Sequence, residues 1–180
     1  DETWSSYVHR MRSHKAWGTK NISAWDLSLD GAAELNSYLN ASPDIYYFSF
    51  VFSATSKNKS TGYHTPNKDV FLLIRSRAKM LGSKIVFKSD GSETDSTWWE
   101  NDGIVNLRSM KGPTSGQNGP DPIVPFVKSD PLMQGQWYTF DAINLDHYQS
   151  VGHMLPKEKR KMLDSIYINH AKLLLSLPKH

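Results

Sequence analysis

Two residues of this chain have the types and placement to do chemistry, an acid at Asp102 and a histidine at His147. A carboxylate that accepts the Nδ1–H of an imidazole fixes the tautomer of the ring. Nε2 is then free to take a proton from a hydroxyl nucleophile and return it to a leaving group. That division of labour needs the two groups on separate loops, each held by rigid flanks. Asp102 lies within Trp98-Trp99-Glu100-Asn101-Asp102-Gly103-Ile104-Val105-Asn106. Asp-Gly marks a turn there, because glycine tolerates positive φ and aspartate hydrogen-bonds its own backbone. His147 comes 45 residues later, in Leu145-Asp146-His147, just after a strand-like run. Taken by spacing alone, Asp102 also reads as a turn cap and His147 as an ordinary histidine.

The elements that must position them follow from periodicity. Trp4, Val8 and Met11 recur at helical spacing, which predicts a surface helix over 2–14. Asp30 reads as the N-cap of a helix carrying Ala32, Leu35 and Leu39, ended by Ser42-Pro43-Asp44. Residues 45–52 are almost wholly apolar and β-prone, as expected of a strand covered on both faces by helices. That strand argues for an α/β rather than an all-β chain. Val70, Phe71, Ile74, Ala78 and Leu81 mark a further helix, with Gly82 placed as its C′ residue. Residues 112–122 are punctuated by proline and glycine like a long surface loop, and Trp137 to Ile143 reads as the last strand. A closing helix carries Leu163, Ile166, Tyr167, His170, Leu174 and Leu177 on one face, where His170 reads as a core-edge histidine rather than a ligand.

Composition narrows the class. A chain of 180 residues suffices for one domain with a real core. The absence of cysteine excludes disulfides and thiolate metal sites but leaves the compartment open. A net charge of +3 and basic residues scattered outside 157–161 give little footprint for nucleic acid. No apolar run approaches the roughly 20 residues of a membrane span, and no signal sequence is visible at the start.

Several longer words carry a resemblance. Trp25-Asp26-Leu27-Ser28 is followed by Gly31-Ala32 and Leu35-Asn36, then Ala41-Ser42-Pro43 and Tyr46-Tyr47-Phe48-Ser49-Phe50. The Trp98 to Asn106 stretch is joined by Ser109-Met110 and Gly112-Pro113, then Ile123-Val124-Pro125, Asp146-His147 and Val151-Gly152. From Trp4 to about Gly152 the chain resembles the C-terminal half of the bacterial true lipases, the staphylococcal and thermophilic Geobacillus family. The resemblance implies the C-terminal part of an α/β-hydrolase fold, a mostly parallel sheet with flanking helices. Residues 1–180 would then form a single domain, with the N-terminal portion outside this chain.

The resemblance also implies roles. Asp102 would be the triad acid and His147 the triad base, in the chain order nucleophile, acid, histidine of α/β-hydrolases. Asp26 would be one carboxylate ligand of a structural zinc whose other three ligands lie upstream; the alternative for Asp26 is a hydrogen bonder between loop and helix. No cofactor is required for the chemistry itself. The family's calcium site is not expected here, because Gln149 stands where a Glu would, Met154-Leu155 where an Asp-Pro would, and Asp69 where a glycine would supply its carbonyl. No Gly-x-Ser-x-Gly occurs, so the chain has no nucleophile elbow of its own. The expected function is lipid carboxylic-ester hydrolysis of the triacylglycerol lipase type, by a secreted enzyme whose serine lies on an upstream segment, with this chain inactive alone. The expected partners are that segment, a lipid ester and a lipid interface. The alternative is a non-catalytic lipase-derived module that binds lipid or protein.

Overall fold

A computed structural model of the chain describes residues 2–113 and 123–178, so most of the expected loop over 112–122 lies outside the described residues. Among the described residues, three helices, three short strands, two helices, two strands and a last helix follow one another along the chain. Helix α1 (Trp4–Arg12) is capped by Thr3, whose Oγ1 accepts from Ser6 N at 3.2 Å. It is two residues shorter at each end than its periodicity predicts. A single turn, α2 (Ser23–Asp26), leads into α3 (Leu29–Asn36). The cap of α3 is Ser28 rather than Asp30: Ser28 Oγ accepts from Gly31 N at 3.0 Å. Asp30 sits in the first turn, and its carboxylate accepts from Ser89 N of a distant loop. The helix ends six residues before the expected stop at Ser42.

The apolar run over 45–52 forms a strand only at β1 (Tyr47–Ser49). It pairs in parallel with β5 (Trp137–Thr139), which pairs in parallel with β4 (Ile123–Pro125) on its other side. The β1–β5 ladder does not simply stop. Ser49 faces Thr139, yet the next bridge joins Phe52 to Ile143, so the register slips by one residue. The extra residue on the β5 side acts as a bulge, which ends regular pairing and bends the chain. Ile143 N still donates to Val51 O, and Ser53 N to Ile143 O. Ile45, at the run's start, is exposed, so helices do not cover the whole run.

One face of this small sheet is aromatic. Phe48, Phe50, Phe126, Tyr138 and Phe140 form a connected set, with Phe50 stacked on Phe140 at 4.4 Å. Helix α6 (Lys157–Ser176) lies against it through His170, whose ring stands edge-on to Phe50 at 4.9 Å and Phe48 at 5.5 Å. His170 is therefore a core-edge residue, as its place on the helical face suggests.

Beyond the slip, the chain forms an antiparallel pair, β2 (Thr55–Lys57) with β3 (His64–Pro66), and then α4 (Leu72–Leu81). Buried Ala54, Val70 and Ile74, with Phe71 and Ile104 against them, make the core beneath the site. Gly82 caps α4 with φ −65°, not in the left-handed region expected of a C′ glycine. Its requirement is space: a Cβ there would lie 2.0 Å from the His64 carbonyl oxygen, far inside van der Waals contact. The short α5 (Leu107–Met110) follows the Asp102 loop.

Candidate active site

Asp102 sits in a six-residue loop pinched by a bridge between Asn101 and Asn106. Gly103 adopts φ +99°, which a residue with a side chain rarely does, and an added Cβ would press on Ile74 Cδ1 at 2.7 Å. The loop is fastened from below by Asn101, which is fully buried. Asn101 Nδ2 donates to Ala78 O at 3.1 Å and Trp99 O at 2.8 Å, while its Oδ1 accepts from Gly103 N at 2.8 Å. Its backbone carbonyl accepts from Ala54 N at 2.9 Å. Every polar group of this buried side chain is thus used, which holds the loop in one conformation.

Asp102 is 1% exposed, and its carboxylate is divided between two tasks. Oδ1 accepts from Ile104 N at 2.9 Å and Val105 N at 2.7 Å, which fixes the side chain to its own turn. Oδ2 faces His147 Nδ1 at 2.8 Å. A carboxylate can only accept, so Nδ1 carries the proton and Nε2 is left basic when the ring is neutral. The His147 side chain is 46% exposed, so the ring is anchored at one nitrogen and open to the surroundings.

His147 is positioned by residues to which the sequence reading gave no part in holding it. Asp146, wholly buried, accepts three backbone N–H groups: Phe71 N at 2.7 Å on Oδ2, and Tyr148 N and Gln149 N, each at 2.9 Å, on Oδ1. The first ties the loop to the start of α4; the other two close an Asx turn around His147. Buried Gln149 spans between loops, its Nε2 donating to Asp69 O at 2.7 Å and its Oε1 accepting from Asp146 N at 3.2 Å. Lys159, inside the basic run over 157–161, turns inward, pairs with Asp69 Oδ2 and donates to Asn144 O at 2.8 Å. Burial pushes the Asp69 carboxyl up, but the Lys159 hydrogen bond, its own backbone and the charges of Lys159 and Arg75 hold it below its ordinary value. The signal for Asp146 was present in the sequence, an Asp two and three residues before the amides that it caps.

These donors do not suit a divalent cation, which wants a shell of six to eight oxygens. At the place where the resemblance puts calcium, a carboxamide N–H and an ammonium face the oxygens, and exposed Met154 offers none. Asp26 is exposed at the end of α2. Among the described residues no group of three or more His, Asp or Glu could hold a metal ion. Alone, Asp26 does not fit a closed four-ligand zinc site. One cavity of about 620 Å³ lies beside Phe50, Phe140 and His170, and another of about 530 Å³ beside Trp98, Trp137 and Arg108. Neither is lined by Asp102 or His147. Among the described residues no helix is long and apolar enough to cross a membrane.

Comparison with known proteins agrees with this architecture. Lipase 2 of Staphylococcus aureus is 28% identical over 163 residues, 89% of this chain and 21% of that protein. Lipase 1 of the same species is 26% identical over 154 residues, 84% of this chain and 20% of that protein. The chain spans about a fifth of the length of these relatives. Among solved structures, EstA from Clostridium botulinum superposes with a TM-score of 0.73 at 31% identity, covering 91% of this chain and 38% of that one. Lipase 1 from Pelosinus fermentans gives 0.70 at 25% identity, over 99% and 45%. The Staphylococcus hyicus lipase, at 0.67 and 20% identity over 98% and 44%, shares the fold. The parallel sheet and its flanking helices are the C-terminal part of an α/β-hydrolase. A family model for the lipase-like C-terminal domain matches residues 1–175, and the chain belongs to that family.

Proposed function

We propose that this chain supplies the acid and the base of a serine esterase acting on lipid carboxylic esters, with Asp102 orienting His147. The observation that carries this reading is the 2.8 Å contact from Nδ1 to Oδ2, made by a buried carboxylate to a half-exposed ring. In the proposed reaction Asp102 holds the Nδ1–H tautomer and stabilises the imidazolium that forms. His147 Nε2 accepts the proton of a serine hydroxyl and gives it to the departing alcohol. The serine and the oxyanion donors come from a segment upstream in the same reading frame, because no Gly-x-Ser-x-Gly lies in this chain. The lipid ester as substrate rests on the family and on the names of its relatives. Action outside the cell and contact with a lipid interface belong to the same reading. Should the whole protein bind structural zinc, Asp26 is the one ligand this chain would add, the other three coming from the upstream segment.

The test is hydrolysis of a p-nitrophenyl ester by this chain alone and by the complete reading frame, each with a His147→Ala control. Activity in the complete protein that disappears with His147 supports the reading. A folded complete protein without activity overturns it in favour of a binding module derived from a lipase.

A further inference from the structure

We infer that Gln149 and Lys159 are positioning residues for His147, forming a clasp of N–H donors that joins the His147 loop to the Asp69 turn without a metal ion. This rests on the assignment of His147 as the base. Two loops meet here, one running from Asn144 through His147 to Gln149 and the other around Asp69. Their facing groups are oxygens: the Asp69 carbonyl, the Asp69 carboxylate and the Asn144 carbonyl. Oxygens gathered from two chain segments repel one another unless something positive lies between them. A divalent cation is one solution.

This chain uses another. The Gln149 carboxamide reaches Asp69 O at 2.7 Å, and the Lys159 ammonium bridges Asp69 Oδ2 and Asn144 O, the latter at 2.8 Å. Gln149 is 1% exposed, so its hydrogen bonds are shielded from water. Both nitrogens are covalently fixed, one two residues after His147 and the other on α6, so a cation could enter only by expelling them. The clasp also explains why a basic run on α6 has one member turned inward. It sits next to Asp146, whose buried carboxylate fixes the two amides that follow the histidine. Loosening it displaces the imidazole from Asp102, and a shift of about 1 Å in a reacting group can cost on the order of 100-fold in rate.

The experiment uses the protein from the complete reading frame, with thermal midpoint and ester kinetics read in parallel after EGTA treatment and after add-back of CaCl2 or ZnCl2. Wild type should show no calcium response in either readout. Gln149→Ala should lower kcat about 10- to 100-fold with KM little changed. Gln149→Glu places a carboxylate against the Asp69 carbonyl, lowers the midpoint, and should be rescued in part by CaCl2. Lys159→Met should lose kcat where Lys159→Arg keeps most of it. A wild-type midpoint that falls in EGTA and returns with CaCl2 alone overturns the inference, as does a folded Gln149→Ala protein with unchanged kcat. A response to ZnCl2 alone leaves the clasp calcium-free and supports it. If wild type hydrolyses no ester, the assignment of His147 fails separately, and the calcium response of the midpoints alone judges the clasp.

Discussion

Asp102 and His147 meet twice, once through their side chains and once through their backbones. Nδ1 lies 2.8 Å from Oδ2, and His147 N donates to the Asp102 carbonyl at 2.9 Å. The backbone bond sets the separation of the two loops, and the side-chain bond uses it. With the other carboxylate oxygen held by two amides of its own turn, Asp102 cannot follow the ring if the ring moves. The pair is rigid on the acid side and exposed on the base side, a geometry suited to orienting an imidazole toward a group brought from elsewhere.

Asp102→Asn in the complete protein should therefore keep the fold and remove most of the proposed activity. The asparagine can still accept the two turn amides. Its NH2, turned toward Nδ1, stabilises the tautomer with the proton on Nε2, which is the wrong one for a base. Loss of the acid by this route lowers kcat by about 10⁴-fold in serine-protease triads. Steady-state ester kinetics check this, and a thermal midpoint within about 2–4 °C of wild type separates it from unfolding.

Asp146→Ala should act through structure. Three amides lose their acceptor, that of Gln149 buried and those of Phe71 and Tyr148 partly buried. One unmet buried donor costs about 1–3 kcal/mol, so the Gln149 amide alone makes a loss of at least about 1 kcal/mol expected. Urea unfolding of wild type and variant measures it. An unchanged midpoint would mean that water replaces the carboxylate and that the loop is less buried than it stands here.

The sequence already carried Asp102 and His147, because a turn word and a word after a strand are local signals. Helices α1, α3, α4 and α6 were legible for the same reason, their apolar spacing being a property of consecutive residues, whereas the single turns α2 and α5 are too short to show a period. What escaped depends on partners distant in the chain. The strand over 45–52 is cut short by a register slip against Phe140, Asp141 and Ala142, which no periodicity in the strand itself reveals. Ser28 and Asp30 are both good cap residues, and only the Ser89 amide, waiting for a carboxylate, decides between them. Gly82 was read as a left-handed glycine, yet its reason is the His64 carbonyl. Asp146 was seen as part of a word and Gln149 as a departure from a calcium ligand, and their work appears only when Phe71 and Asp69 come alongside.

Gly103→Ala should destabilise the Asp102 loop by two separable routes. The backbone at φ +99° is strained for any residue with a Cβ, and that Cβ meets Ile74 Cδ1 at 2.7 Å. Strain of this kind costs on the order of 1–3 kcal/mol. Ile74→Val removes the colliding methyl at its own cost of about 0.5–1.5 kcal/mol. The double variant should thus be less damaged than the sum of the two, and the remainder reports the backbone. A double-mutant cycle by denaturant unfolding checks it, with strict additivity counting against the contact.

His170 gives a dependence on pH that is separate from the site. Burial among Phe48, Phe50 and Phe140 lowers its imidazole below the ordinary value, because the charged form is poorly solvated there. The folded state thus holds the neutral ring while the unfolded chain still protonates at about pH 6.5. Above that pH both states are neutral and stability is complete. As the pH falls toward the lowered folded value, the unfolded state takes up protons first and stability declines. Lys128, Asp141 and Lys172 line the same groove, and solvent there screens the effect to on the order of 1–2 °C in the thermal midpoint. His170→Phe keeps an aromatic edge toward the cluster and should flatten the midpoint between about pH 5 and 6.5. A residual slope is expected from His64, which burial also lowers while Glu100 raises it and Lys57 lowers it. A His170→Phe midpoint that falls as steeply as wild type across that window would assign the acid sensitivity elsewhere.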